Sequence, residues 1–158
     1  MIPLNELKII IGSDEWCAFT SLNIPAIKAR VDSGAKTSSM HAINIQRFSR
    51  GDDHWVRFEV HPLQKNRKIT VHCEAPLIDQ RVIKSSSGDK EKRPVICVPL
   101  TLGNTTWDVE VTLTNRDSMG YRMLLGREAM NGRVLIDPAE QCLLGDKSKS
   151  SLLALYSV

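Results

Sequence analysis

The sequence predicts an all-β protein built as a closed or partly closed β-barrel with one short helix. Three observations carry this reading. Apolar residues recur with a period of two over most of the chain, which is the strand period. Turn-forming residues separate the alternating runs at short intervals, and helical periodicity is scarce, a pattern typical of barrels and sandwiches.

The elements follow in order. Residues 8–12 open as a short strand, and residues 27–31 form the next. In residues 55–60, Val56, Phe58 and Val60 share one face, so this run pairs with residues 68–73 through a turn at 62–67, where Pro and Asn suit a reversal. Residues 94–102 and 105–114 form a second hairpin about Gly103-Asn104, a strong turn signal. Trp107, Val109, Val111 and Leu113 then give its second strand one apolar face. A short helix is expected over 127–131, ended by Gly132. The polar run 145–151 reads as a linker. It precedes an apolar tail, 152–156, that either packs on its own domain or docks on a partner subunit. One domain is expected over 1–145, followed by linker and tail over 146–158.

Composition narrows the functional classes. At 158 residues with 25% charged and 5% aromatic residues, the chain is long enough for one buried core and is neither disordered nor collagen-like. Its net charge of +3 is spread over scattered Lys and Arg without interleaved aromatics, so nucleic acid is not an expected partner. Cys17, Cys73, Cys97 and Cys142 lie far apart with no C-x-x-C, which argues against a structural zinc site. Cys73 and Cys97 are expected as buried hydrophobes. No run reaches membrane-spanning length, and the expected compartment is the cytoplasm.

The most informative stretch is 27–35, an alternating strand that runs into Asp32-Ser33-Gly34-Ala35. A carboxylate held at a strand end by a Ser-Gly turn suits water activation. Two such carboxylates a few ångströms apart share one proton, so that one draws a proton from water while the other polarises the scissile carbonyl. The Asp-Ser-Gly tripeptide occurs once, so a two-aspartate enzyme with this loop would have to borrow the second carboxylate from another copy of the chain.

Four features in order resemble the retropepsins, single-lobed homodimeric aspartic proteases: Val31 to Ala35, the Ser-Gly-rich stretch 84–88, the long hairpin 93–114, and Met123-Leu124-Leu125-Gly126-Arg127. The chain is more closely similar to a bacterial family of retropepsin-like domains that carries an ATP-dependent zinc protease label. The match spans roughly residues 25–138. It implies Asp32, Ser33 and Gly34 as catalytic residues, with Ser33 bonding across the dimer axis and Gly34 turning the loop beside its two-fold mate. It implies Ala35, Lys36, Ser86, Ser87, Gly88 and Arg127 along the substrate groove, Gly126 close behind the catalytic loop, and a homodimer acting on peptides. Because Ala35 cannot donate a hydroxyl to the dyad, activity is expected to reach towards neutral pH.

Two positions depart from the retropepsin pattern. Where retropepsins place an Asp that pairs with the Arg of the Gly-Arg element, this chain has Lys36. Lys36 and Arg127 are expected to repel. Arg127 then turns to Glu128 or Asp137, or both cations face the groove and favour acidic peptides, a substrate class that the family's link to glutamate-adding ligases also implies. The flap region 81–93 has one glycine and a charged stretch and reads as a flexible polar loop or a lid. No H-E-x-x-H or phosphate-binding loop is present, and His41, His54, His61 and His72 are expected as surface or hydrogen-bonded residues. No metal or cofactor is expected. An inactive peptide-binding or dimerisation module is the alternative reading, and a metal-dependent peptidase a weaker one.

Overall fold

In the computed structural model, residues 7–64, 66, 68–84, 87–115 and 120–156 are described. Six strands close a barrel in the order β2 (Asp14–Phe19), β3 (Ile24–Val31), β10 (Met123–Leu125), β4 (Ser38–His41), β9 (Thr105–Thr114) and β8 (Lys90–Leu102), with β8 pairing back onto β2. Closure leaves these strands with no free edge. The sheet continues outward from β8 through β7 (Val71–Lys84), β6 (Asp53–Val60) and β5 (Ile43–Arg50). A separate parallel ribbon joins β1 (Ile9–Ile11) to β11 (Val134–Ile136).

The expected alternation decides which residues form the core. Val56, Phe58 and Val60 of β6 are buried, and so are Trp107, Val109, Val111 and Leu113 of β9. Strand β6 pairs with β7 antiparallel, Val60 opposite Val71, and β8 pairs with β9 about Gly103-Asn104. The Trp107 indole N–H donates to the carbonyl of Ala129 at 3.0 Å. That bond gives the buried ring a polar partner and fastens α1 (Arg127–Met130) to the barrel. Gly132, with φ 76°, follows this helix in the left-handed conformation its C-terminus calls for.

Cys97 departs from expectation. Ile96, Val98, Leu100 and Leu102 take the inner face of β8, so the residue between Ile96 and Val98 points outward, and Cys97 is exposed. Cys17 and Cys73 are buried, and burial pushes each thiol up to about 12. Half-buried Cys142 is also pushed up to about 12, first by burial and then by its hydrogen bond to Asp14. A raised pKa leaves less thiolate at pH 8, and the thiolate is the reactive form. The Cys97 thiol is raised too, first by partial burial and then by Asp108 and Glu110, but of the four it alone is exposed. A thiol reagent at pH 8 is therefore expected to label Cys97 first, with Cys17 and Cys73 reacting only after unfolding. A second thiol as fast as Cys97 in the native state, read by mass spectrometry, would contradict this burial.

The segment after β11 straps across β2 and β3. Glu15 is 0% exposed, and its carboxylate accepts the N–H groups of Gly12 at 2.7 Å, Leu143 at 2.9 Å and Leu144 at 3.1 Å. The Trp16 indole donates to Asp146 at 3.0 Å. Beyond it, α2 (Lys149–Tyr156) brings the Tyr156 hydroxyl to Ala26 of β3, where it accepts from the N–H at 3.2 Å and donates to the carbonyl. The tail thus touches its own chain through Tyr156, while Leu153 and Leu155 stay 40% and 46% exposed. Glu15→Gln sets an amide N–H₂ against donors that the carboxylate now receives, and is expected to cost about 2 kcal/mol in chemical denaturation. An unchanged midpoint would show that the strap is not held by this group.

Candidate functional site

Strand β3 delivers Asp32 to the end of the barrel. Its backbone N–H donates to Leu125 of β10 at 2.9 Å, and its carbonyl accepts from Ala35 at 3.2 Å. The half-buried side chain is fixed from the loop, since Oδ1 accepts the N–H groups of Gly34 at 3.0 Å and Ala35 at 3.2 Å. Asp is suited to this because its short side chain bonds its own backbone two residues on. Oδ2 has no hydrogen bond among the described residues, so the carboxylate is oriented with one oxygen available. Ser33 and Gly34 are exposed. Within one chain, a Cβ on Gly34 would meet Asp32 Oδ1 alone, at 3.3 Å.

The Gly-Arg element braces this loop from behind. Gly126 donates its N–H to Ser38 Oγ at 2.9 Å. The next two N–H groups, of Arg127 and Glu128, reach the carbonyls of Ala35 at 2.7 Å and Lys36 at 3.0 Å. These are N–H groups that the start of a helix leaves unsatisfied, and here the loop supplies their acceptors. A Cβ at Gly126 would lie 2.6 Å from the Thr37 carbonyl carbon and 2.7 Å from the Ser38 nitrogen. Only glycine lets the two backbones come so close.

Lys36 and Arg127 do not confront each other. Lys36 Nζ lies 3.7 Å from Glu128 Oε1, and Arg127 Nη1 donates to the Ser33 carbonyl at 3.1 Å. Arg127 therefore takes neither Glu128 nor Asp137. It holds the catalytic-type loop through a backbone carbonyl instead of a carboxylate, which compensates for the absent Asp and leaves Glu128 free to balance Lys36. Because the Lys36 pair is 70% and 45% exposed, it contributes little stability.

The flap region is more ordered in form than the sequence indicated. Strands β7 and β8 run on as a hairpin to the register pair Lys84 and Lys90, so the segment 81–93 is mostly strand. Ser87 and Gly88 sit at its tip, Ser87 Oγ lying 3.2 Å from Asp89 Oδ2 and Gly88 having φ 91°. Ser86 lies outside the described residues. Among the described residues no hydrogen bond or ion pair joins the tip to Asp32.

Sequence reasoning missed the residues that share a sheet face with Asp32. Arg30 stands two positions before it on β3. Across the sheet Leu124 is paired with both Arg30 and Ser39, and Ser39 with Thr112. The signal was present in the alternation of 27–32, but strand β4 was not anticipated and the row could not be assembled without it. A cleft of about 730 Å³ lies elsewhere, on the β5–β7 layer, lined among others by Asn44, Arg57, Glu59 and His72. There Glu59 accepts from Asn44 and lies 3.9 Å from His72, and Arg57 lies 4.0 Å from Glu74. Among the described residues no cluster of three or more His, Cys, Asp or Glu could hold a metal ion, and no helix is long and apolar enough to cross a membrane.

A one-lobed barrel, a single Asp-Ser-Gly loop and an apolar-Gly-Arg brace together define a retropepsin-like domain. The family described as retropepsin-like aspartic endopeptidase RimB matches residues 10–146, and the chain belongs to that family. It is 62% identical over 150 residues to a Desulfotalea psychrophila protein named probable alpha-L-glutamate ligase, covering 95% of this chain and 32% of that one. A Shewanella pealeana protein of the same name is 57% identical over 155 residues, covering 98% and 34%. The chain thus spans about a third of the length of these curated relatives. Among solved structures, a Legionella pneumophila protein described as of unknown function (DUF785) superimposes with a TM-score of 0.74 at 27% identity, over 88% of this chain and 100% of that one.

Proposed function

We propose that the chain is an aspartic endopeptidase that works as a homodimer, with Asp32 of each copy forming the catalytic dyad, and that its substrates are acidic peptides such as glutamate-rich tails. The observation that carries this reading is the state of Asp32: Oδ1 is pinned by two backbone N–H groups while Oδ2 is left to a reacting partner. Two such carboxylates facing each other would hold one proton between them. The ionised one would take a proton from water as it attacks the peptide carbonyl, and the protonated one would donate to the carbonyl oxygen. Ser33 and Gly34 would lie at the two-fold axis, both being exposed. Membership of an aspartic endopeptidase family supports the chemistry, and relatives named for glutamate ligation support the acidic substrate.

The test is cleavage of a mixed peptide library by wild type and Asp32→Asn, with and without a chelator. Cleavage that ignores chelator and disappears in the variant is the expected result. Chelator-sensitive cleavage would transfer the chemistry to a metal. Peptide binding with no cleavage under any condition would make the domain a binding module.

A further inference from the structure

We propose that Arg30 is the specificity-determining residue of the groove, reading an acidic substrate side chain next to the scissile bond. This rests on the endopeptidase reading above and adds a position and a charge to it. Strand alternation puts Lys28 and Arg30 on one face of β3, with Asp32 one residue past its end and still bonded to Leu125 of β10, while Ala29 points into the core at 0% exposure. Residues two apart on one strand face lie about 6.7 Å from each other, and the same repeat separates alternate side chains of an extended peptide. A substrate that runs along β3 with its scissile carbonyl at Asp32 would therefore carry a neighbouring side chain over Arg30. The floor beside it is the cross-strand row Arg30, Leu124 and Ser39, with half-buried Leu124 and Ser39 offering an apolar wall and a hydroxyl.

Among the described residues, Arg30 lacks the carboxylate partner that other cations of the barrel have, and Arg127, which also lacks one, is committed to the Ser33 carbonyl. Lys28 lies 3.8 Å from Asp14, Lys36 is paired with Glu128, Arg81 with Asp79 and Glu110, and Arg93 with Glu91. Asp14, which stands opposite Arg30 on β2, is already engaged by Lys28, by the Tyr121 hydroxyl at 2.8 Å and by the Cys142 thiol at 3.4 Å. Arg30 is exposed and has no carboxylate within ion-pairing distance among the described residues. Its planar guanidinium suits bidentate capture of a carboxylate. A substrate Glu or Asp would supply the counter-ion that the fold withholds.

The experiment uses matched peptides that carry Glu, Gln or Lys at the positions flanking one cleavable bond, and reads the ratio of kcat/KM between them. Wild type is expected to favour Glu over Gln by about tenfold, as one desolvated charge pair allows. In R30Q the ratio falls towards one, in R30E it turns in favour of Lys, and in R30K part of it returns. A Glu-to-Gln ratio that is the same in R30Q as in wild type would overturn the assignment, even with the protease reading intact. If wild type cleaves none of the peptides, the endopeptidase reading is what fails. The same three peptides are then titrated against Asp32→Asn protein with and without R30Q, and equal affinities for Glu and Gln peptides in the Arg30 form would overturn the assignment there too.

Discussion

Asp32→Asn is expected to reduce peptide cleavage by about 10²- to 10⁴-fold or more, the range that a positioned proton-transfer group supplies. The fold should be preserved, because the amide oxygen of Asn can still accept the Gly34 and Ala35 N–H groups that Oδ1 takes now. A sharper result comes from mixing. If each copy supplies half of one dyad, random pairing of equal amounts of wild type and variant leaves about one quarter of the dimers with two Asp32 carboxylates. Activity per mole of wild-type chain should then fall to about half on mixing, once subunits have exchanged. A chain that acts alone, or through a metal held within one copy, would lose nothing. Rate against mixing ratio therefore reads the number of carboxylates directly: a parabola supports the shared dyad and a straight line refutes it.

Much of the fold was legible because alternation is a physical requirement of a sheet with one buried face. Val56, Phe58 and Val60, or Val109, Val111 and Leu113, must point one way for the strand to bury them. Two of the strands that escaped notice, β4 and β2, do not bury by simple alternation. Strand β4 reads Ser-Ser-Met-His and buries Ser38 and His41 beside Met40, which polar side chains tolerate only when the tertiary structure supplies partners. Strand β2 buries Asp14 and Glu15, and Glu15 is satisfied by N–H groups more than 120 residues away at Leu143 and Leu144. No local pattern encodes that. The site divides in the same way. Asp32 to Gly34 announce themselves by a tripeptide, whereas Arg30 becomes notable only when pairing sets it beside Leu124 and Ser39. Lys36 misled because it was expected to repel Arg127 and send it to Glu128 or Asp137, whereas Glu128 balances Lys36 and Arg127 takes the Ser33 carbonyl.

Gly126→Ala should be the most damaging single methyl group that can be added to this chain near the Asp32 loop. The new Cβ would approach the Thr37 carbonyl carbon at 2.6 Å, the Ser38 nitrogen at 2.7 Å and the Thr37 oxygen at 2.8 Å. All three are backbone atoms, so no side-chain rotation can relieve the contact, and one strand must move away from the other. Overpacking of this kind costs about 3 kcal/mol, enough to be plain in a denaturation midpoint. The displacement falls on the hydrogen bonds that tie Gly126, Arg127 and Glu128 to Ser38, Ala35 and Lys36. Ala35 also donates to Asp32 Oδ1, so a shift at Gly126 reaches the carboxylate through one residue. Cleavage is therefore expected to fall by about 10²-fold, as a misplacement of about 1 Å at a reacting group does, at temperatures where the variant is still fully folded. Loss of stability with full activity in the folded fraction would show that the Gly-Arg element braces the barrel without setting the position of Asp32.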